Sequence, residues 1–510
     1  MATGARGHQE RALEFLRVAH RFKLGVLPTE RPHPRTRQLS RWARGDLPRA
    51  VSVLKSIDLS ALKTLERYAA EIEGLAEAVE KTLATGRRVF LCGCGATGRL
   101  ALSLEFLWRK EHEGRNGVLS FMAGGDVALV HSLEGFEDYP DFGARHLEQM
   151  GFADGDLLIS CTEGGETPYV IGATQRAAEI SSNRPFLLYC NADATLTHNV
   201  ERFRRVYENP AIEKICLYVG PMALAGSTRM QASTVLQLAV GLALLHRGES
   251  AKNLISRFRE RVGQTDFSFL EAFIENESTI YENGDHVVYR VKDYGITVFT
   301  DTTERAPTFS LVPFDQLREP REHHSLCYVV MAEADSPADA WVRMLNRRPR
   351  SLDWPEVDPR TTRAYLDDFD FSVHAIGRLR RRVPDRRHHD FHIGGSGSRI
   401  EFRLRNLTND VSVGDLPLLF RHLLLKQMLN IHSTLVMGRL GRYENNLMTW
   451  VTPTNNKLVD RAARYVGHLL SQAGRTDVRY EEIVRRLFVE MDRIPPGESI
   501  VLRTYESLSR

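Results

Sequence analysis

The hydrophobic pattern of the chain alternates between short apolar runs and longer stretches with helical spacing. Four apolar runs in the first half, at 89–92, 117–125, 156–161 and 185–190, are typical of strands covered on both faces. Segments with helix-like spacing separate them. Strands that alternate with helices predict a parallel sheet with right-handed crossovers. The first half is therefore predicted to be an α/β unit with helices on both faces of the sheet.

Helical spacing is clearest outside these runs. Apolar residues three and four positions apart from Asp58 onward predict a long amphipathic helix that Gly86 ends. A similar pattern at 416–437 predicts another helix. Residues 1–45 are rich in Arg, His and Pro, and the prolines interrupt any helical pattern. This composition predicts an arm or an extended wrap.

The second half carries weaker strand patterns, which raises the question of whether the unit is repeated. The runs at 294–301, 326–331, 371–376 and 392–393 are the candidate strands. Residues 377–389 are rich in arginine and histidine, and we interpret them as a charged surface segment rather than a nucleic-acid or metal site.

Composition limits the class of protein. The chain has 510 residues, of which 42% are hydrophobic and 26% charged, enough for two or three globular domains. The formal net charge of +3 is nearly neutral for this length, so we expect no nucleic-acid partner. The six cysteines lie mostly in apolar runs, which is typical of buried thiols in a cytosolic protein. The N-terminal residues lack an apolar leader, and no run reaches membrane length, so a cytoplasmic location without membrane contact is expected.

A glycine turn follows the first strand and opens a helical segment. Gly93-x-Gly95-x-x-Gly98 has the spacing of a dinucleotide loop, but no clear acidic residue follows about twenty residues later, and no Gly-Lys-Ser/Thr is present. In a parallel sheet such a turn lies at the carboxyl end of a strand, where backbone N–H groups attract an anion. Thr97 adds a hydroxyl that suits a phosphate monoester. A tight turn without a ligand remains the alternative.

A second glycine turn, at 162–167, follows the third strand and also opens a helix. Two such turns on one edge of a sheet form a cleft. Farther along, Gly226-Ser227-Thr228 precedes an apolar helix that runs to Leu245, and either hydroxyl residue is a natural N-cap. Capping alone and a role in the cleft are both open for these two residues.

Together these motifs resemble the sugar isomerase (SIS) domain of N-acetylmuramic acid 6-phosphate etherases and of the glucokinase regulatory protein. The segments that carry the resemblance in the first half are 29–36, 93–100, 134–138, 167–173, 220–221 and 226–230. In the second half, Asp-Thr-Thr-Glu-Arg-Ala-Pro-Thr-Phe at 301–309 and the segment 441–461 resemble parts of the etherases. Etherases pair two copies of one domain, whereas the regulatory protein fuses two domains. This chain resembles a fused pseudo-dimer, for which a monomer is expected.

The resemblance implies an α/β fold with two tandem SIS domains. Each would be an αβα three-layer unit with a mainly parallel, flavodoxin-like sheet. The implied divisions are an N-terminal arm and helix at 1–75, a first SIS domain at 76–255, a second and degenerate one at 256–420, and a C-terminal helical cap at 421–510.

The resemblance also implies a phosphosugar cleft between the two domains. An etherase removes the proton at carbon 2 of an open-chain aldose phosphate, expels lactate from carbon 3 and adds water, which requires a base and an acid. Glu134 matches the family's base and Glu304 its acid, and different environments can divide two carboxylates between these roles. The expected ligand-binding residues are Gly95, Ala96, Thr97, Thr162, Gly164, Gly165, Thr228 and Lys457. No cofactor or metal is expected.

Two residues depart from the etherase pattern. Glu163 and Glu166 stand in the second turn, where etherases carry small or basic residues. A carboxylate about 4 Å from a phosphate opposes binding by roughly one to several kcal/mol, so these side chains either weaken phosphate binding or point away. The first domain also lacks its own Glu-x-x-Pro-Thr-Phe, so at most one complete site is expected.

Three functions remain open. The favoured one is a carbon–oxygen lyase of the etherase type that acts on a phosphorylated amino sugar. The alternative is a non-catalytic sugar-phosphate sensor that regulates a sugar kinase, as in the regulatory protein. An aldose–ketose isomerase, which would use the same proton abstraction, is the least favoured.

Overall fold

The computed structural model describes residues 7–509, apart from Lys23, Arg247, 317–323, Ser396 and Pro496, and apart from the side chains of Arg21 and Glu134. Within the described residues the chain forms two five-stranded sheets, one in each half, with helices on their faces. This arrangement confirms the predicted α/β class with two tandem units.

The first sheet is parallel throughout and has the strand order β2-β1-β3-β4-β5. Its strands are β1 (Val89–Gly93), β2 (Val118–Met122), β3 (Leu157–Cys161), β4 (Phe186–Tyr189) and β5 (Glu213–Cys216). The first four confirm the four apolar runs, whereas β5 escaped prediction because it begins with two charged residues. In this strand order the switch point lies between β1 and β3, where doubly wound sheets bind ligands. Both glycine turns follow these two strands.

The second sheet is mixed and has the order β10-β9-β8-β6-β7. Its strands are β6 (His286–Val291), β7 (Cys327–Met331), β8 (His388–Gly395), β9 (Arg399–Leu404) and β10 (Leu407–Ser412). Strands β6, β7 and β8 pair in parallel, and β9 and β10 extend the edge as antiparallel strands. The second sheet thus combines three parallel strands with an antiparallel edge, which the first sheet lacks.

Helices cover both sheets and form the C-terminal part of the chain. In chain order they are α1 (His8–Val18), α2 (Leu39–Gly45), α3 (Leu47–Leu65), α4 (Ala69–Ala84), α5 (Ala96–Glu111), α6 (Pro140–Gln149), α7 (Pro168–Ile180), α8 (Asp193–Asn199), α9 (Glu201–Tyr207), α10 (Gln231–Leu245), α11 (Ala251–Gln264), α12 (Leu270–Glu282), α13 (Gly295–Phe309), α14 (Pro337–Leu345), α15 (Arg363–Leu366), α16 (Ala375–Arg382), α17 (Leu418–Arg439), α18 (Asn456–Gln472), α19 (Tyr480–Met491) and α20 (Ile500–Ser509). Helix α17 packs against α10 of the first half and α12 and α13 of the second. No described helix is long and apolar enough to span a bilayer.

Two strand predictions in the second half were wrong. Residues 294–301 belong to the start of α13, and 371–376 form a bend that leads into α16. Residues 294–301 are almost wholly buried, and 371–376 are buried at four of six positions, with His374 exposed. A short apolar run that is buried on all sides has no alternation to distinguish a strand from a helix, so the pattern alone could not decide. The surface segment at 377–389 contains most of α16 and the first residues of β8.

Three helix predictions also need correction. The long helix from Asp58 is two helices, α3 and α4, separated by one 3-10 turn at Glu66–Tyr68. The N-terminal arm is not extended, because it contains α1 and a series of 3-10 turns. Helix α10 begins after Met230, so neither Ser227 nor Thr228 is its N-cap.

A cluster of buried ion pairs joins the two halves. Arg347, after α14, contacts Glu105 of α5 at 3.0 Å and also pairs with Asp126 of the first half. Burial alone would raise the pKa values of these two carboxyls, but the positive charges of Arg347 and Arg350 hold both below their usual values. Charges buried in this way are stable only while they are paired.

We expect Arg347→Met to destabilise the protein by about 3 kcal/mol, because it leaves two buried carboxylates with only Arg350 to compensate them. Urea unfolding measures the effect. Arg343→Met is the matched control, since Arg343 lies in α14 and makes exposed ion pairs with Asp339 and Glu333. That variant should lose less than about 1 kcal/mol. Equal losses would contradict the assignment of a stabilising role to the buried cluster.

Candidate functional site

An open cleft lies where the two halves and the C-terminal helices meet. It encloses about 890 Å³, including space open to solvent. Its walls come from the loops after β1 and β3 and from the segment that precedes α10. Helices α13 and α18 supply further walls. Six of its lining residues are Gly95, Glu163, Thr228, Glu304, Thr308 and Lys457. The predicted cleft between the two domains is therefore present.

The first glycine turn is built by close backbone packing. A Cβ at Gly93 would lie 2.3 Å from the carbonyl carbon of Thr97, so this position cannot hold a larger residue without a shift. The Thr97 hydroxyl donates to the Cys94 carbonyl at 2.9 Å and accepts from the Cys94 N–H at 3.0 Å. Gly95 and Ala96 line the cleft, whereas Thr97 is buried and its hydroxyl bridges the turn.

The second glycine turn connects β3 to α7. The hydroxyls of Thr162 and Thr167 are 2.9 Å apart and share a hydrogen bond. Thr167 lines the cleft, and Thr162 is fully buried beside it. Gly165 has a φ of +76°, which favours glycine, and Gly164 precedes it in the same turn. The structure therefore brings the turn to the cleft mainly through Glu163 and Thr167.

Glu304 lies on the wall that α13 contributes. Its carboxylate is 2.6 Å from a guanidinium nitrogen of Arg99, the residue after Gly98 in α5, and both side chains are buried. Arg99 also donates to the Ala128 carbonyl at 3.0 Å. One cleft residue from each half is thus held by a single ion pair that crosses between the halves.

The backbone of Glu134 forms a 3-10 turn with the next two residues, but its side chain lies outside what the structure describes. The acidic motif nevertheless reaches the cleft through Glu137, three residues later. The pairing of Glu134 with Glu304 in one active site stays a prediction.

Lys457 lies in the first turn of α18 and in the cleft wall. Its ammonium group is 2.7 Å from Glu137 and 3.3 Å from Glu166. Burial opposes the charge of Lys457, but the carboxylate of Glu137 outweighs this effect and raises the lysine pKa. The ammonium group that was expected to meet a phosphate is therefore already paired with two carboxylates.

A second cation of α18 anchors the N-terminal arm. Arg461 lines the cleft and forms a bidentate ion pair with Glu30, at 2.7 and 2.9 Å, with both residues buried. Paired Arg–carboxylate contacts of this kind fix geometry as well as charge. The motif resemblance at 29–36 thus corresponds to a contact between the arm and the helical cap.

The two unusual glutamates of the second turn have different environments. Glu166 pairs with Arg202 and Lys457. Glu163 lines the cleft, is 7% exposed, and has no ion-pair partner among the described residues. Burial raises the pKa of Glu163 to about 8, although hydrogen bonds from its own N–H and from Thr228 oppose this shift. At neutral pH the buried side chain is therefore mainly the uncharged acid.

A buried polar network supports the cleft on the side of α17. Arg229, the residue after Thr228, contacts Asp301 and Ser433 at 3.0 Å each. Asp301 lies one helical turn before Glu304. Arg229, Asp301 and Arg99 lie within the sequence motifs described above, but no role was predicted for them, because their partners are distant in sequence. Among the described residues, no group of His, Cys, Asp or Glu side chains could hold a metal ion.

Comparisons with known proteins agree with this arrangement. Residues 71–178 match the family model of the glucokinase regulatory protein N-terminal SIS domain. The N-acetylmuramic acid 6-phosphate etherase of Synechococcus sp. (strain CC9902) is 32% identical over 223 residues, which are 43% of this chain and 65% of that protein. Etherase 1 of Bacillus licheniformis is 27% identical over 237 residues, 46% of this chain and 73% of that protein.

Solved structures offer only a distant likeness. Tagatose-6-phosphate ketose/aldose isomerase from Escherichia coli is 12% identical, with a TM-score of 0.39, over 77% of this chain and 95% of that one. The sequence relatives carry more information. They confirm the resemblance read from the motifs: residues 71–178 match a SIS-domain model of the regulatory-protein type, and the chain is similar to etherases over nearly half of its length.

We expect Lys457→Ala to weaken phosphosugar binding at least about tenfold, because it removes a charged hydrogen-bond donor and leaves Glu137 uncompensated in the wall. Calorimetric titration measures the loss. The double variant Lys457→Met, Glu137→Gln keeps the charge balance of the wall. If it also binds weakly, Lys457 contacts the ligand directly, and if it binds normally, the lysine only balances Glu137. Unchanged affinity in Lys457→Ala would remove this residue from the site.

The raised pKa of Glu163 predicts a pH-dependent stability. The folded protein retains the proton up to about pH 8, whereas the unfolded chain releases it near 4.5, so the contribution of Glu163 is lost as pH rises through this window. Relative to Glu163→Gln, the wild type should lose about 1.4 kcal/mol of unfolding free energy per pH unit between pH 5.5 and 7.5. Urea unfolding at three pH values checks this, and parallel curves would contradict it.

Proposed function

We propose that the cleft binds a phosphorylated amino sugar and catalyses loss of lactate by carbon–oxygen lyase chemistry. The observation that carries this proposal is the position of Glu304, within the etherase-like motif 301–309, on the wall of a cleft that the two SIS-type units share. The etherase relatives, which align over nearly half of the chain, support the same chemistry.

The proposed reaction begins with the open-chain aldehyde of the sugar, which makes the proton at carbon 2 acidic. A glutamate base removes this proton, the bond between carbon 3 and the lactyl oxygen breaks, and an acid protonates the leaving oxygen. Water then adds to the resulting double bond. We assign Glu134 as the base and Glu304 as the acid. Glu304 must take up a proton, and so give up the charge of its ion pair with Arg99, before it can donate to the leaving oxygen. The backbone N–H groups of the turn at Gly95 and Ala96 are assigned as donors to the ligand.

A non-catalytic sugar-phosphate sensor is the second candidate, and a specific observation favours it. Each of the three cations in the cleft wall is already paired with a carboxylate of the protein: Arg99, Lys457 and Arg461. The match of 71–178 to the regulatory-protein domain points the same way. Such a sensor would bind a fructose phosphate and act on a sugar kinase, which we propose as its partner.

Incubation with N-acetylmuramic acid 6-phosphate and an assay for released lactate separate the two candidates. For the lyase we expect release by the wild type and a loss of at least about 100-fold in both Glu134→Gln and Glu304→Gln, because each removes one proton-transfer group. The control is Glu356→Gln, which alters an exposed ion pair with Arg145. No release, together with saturable thermal stabilisation by fructose phosphates, would overturn the lyase and favour the sensor.

A further inference from the structure

Glu163 differs from the other acidic and basic residues that line the cleft, because it has no ion-pair partner in the described part of the chain. Arg99, Lys457 and Arg461 are paired, and so are Glu137 and Glu304. Among the described carboxylates that line the cleft, Glu163 alone has no cationic partner. Its Oε1 atom is buried and has no hydrogen-bond partner in the described part of the chain. An unpaired polar atom in a buried position is costly unless a ligand satisfies it.

The surroundings of Glu163 determine which form of the side chain can act there. The groups that face it are Glu304 from α13, Lys457 from α18, Thr228 before α10, Cys161 at the end of β3 and Cys190 after β4. The negative charge of Glu304 disfavours a second negative charge, whereas Lys457 and Thr228 favour it. Burial outweighs both influences and raises the pKa of Glu163 to about 8. Burial also raises the pKa values of both thiols, which remain uncharged.

The uncharged acid resolves the conflict between a carboxyl group and an anionic ligand. An ionised carboxylate in the second turn would repel a phosphate, but a protonated carboxyl group is a hydrogen-bond donor. We infer that Glu163 is a proton-carrying ligand group, which in its neutral form donates a hydrogen bond to an oxygen of the bound phosphosugar. This inference rests on the proposed binding of a phosphosugar in the cleft, but not on turnover.

A consequence is that ligand binding is linked to proton binding. A hydrogen bond from Glu163 to the ligand exists only while the side chain holds its proton, and a nearby phosphate dianion favours the protonated form further. Affinity should therefore be constant up to about pH 7.5 and fall about tenfold per pH unit above pH 8, with uptake of about one proton per bound ligand at pH 9. The phosphate itself is fully ionised in this range, because its second pKa is about 6.

The test is calorimetric titration with N-acetylglucosamine 6-phosphate, which carries the phosphate and the acetamido group but no lactyl ether to be cleaved. Titrations from pH 7 to 9.5, where the phosphate is at least about nine-tenths ionised, in buffers with different ionisation enthalpies, give both the affinity and the proton uptake. Glu163→Gln keeps a hydrogen-bond donor but cannot titrate, so its affinity should not vary with pH and it should take up no proton. Glu356→Gln, which alters an exposed ion pair with Arg145, should keep the wild-type pH dependence.

The comparison with Glu163→Gln is needed because a second group titrates in the same range. Burial lowers the pKa of Lys426 to about 8, so Lys426 could produce a similar pH dependence. It contacts Thr234 and Asn430 in the network behind Arg229, and both variants retain it. If Glu163→Gln keeps the pH dependence, or if the wild type binds with constant affinity and no proton uptake, the inference on Glu163 is wrong and the proposed binding stands. If the wild type does not bind the ligand at any pH, the proposed binding falls together with this inference.

Discussion

The ion pair between Arg99 and Glu304 is the contact on which the arrangement of the cleft depends. Arg99 belongs to the helix after the first glycine turn, and Glu304 to a helix of the second half, more than two hundred residues later. Both are buried, so neither charge is stable without the other. The same rule applies to the pairs of Arg229 with Asp301 and of Arg347 with Glu105. The relative position of the two halves is therefore set by charges that must meet.

This mode of assembly shapes the chemistry of the cleft. The cations that would attract a phosphate are already paired with carboxylates of the protein. A phosphorylated ligand must therefore displace these carboxylates or bind through neutral hydrogen-bond donors. Backbone N–H groups of the glycine turn and the Thr167 and Thr228 hydroxyls lie at the cleft as such donors, and the neutral Glu163 that we propose would be another. Neutral donors also suit a site that discriminates among sugars, since their geometry rather than their charge determines what fits.

The sequence alone predicted the first sheet and the position of the cleft well, because periodic patterns report on local structure. The runs that became β1 to β4 alternate with helices, and the glycine turns mark the strand ends. It failed at 294–301, since a helix buried on all sides has no polar face to reveal its period. The partners of Arg99 and Arg461 could not be predicted, because each lies hundreds of residues away. Motif resemblance supplied Lys457, but not the carboxylates that hold it.

The contact of Glu30 with Arg461 has a consequence for the synthesis of the protein. These two residues are 431 positions apart, and a ribosome adds about 5 to 20 residues per second. Glu30 therefore leaves the ribosome roughly 20 to 90 seconds before its partner. During this interval the arm has no cation of α18 to bind, and the cleft lacks the wall that carries Lys457. A complete cleft is thus one of the last features that a growing chain acquires.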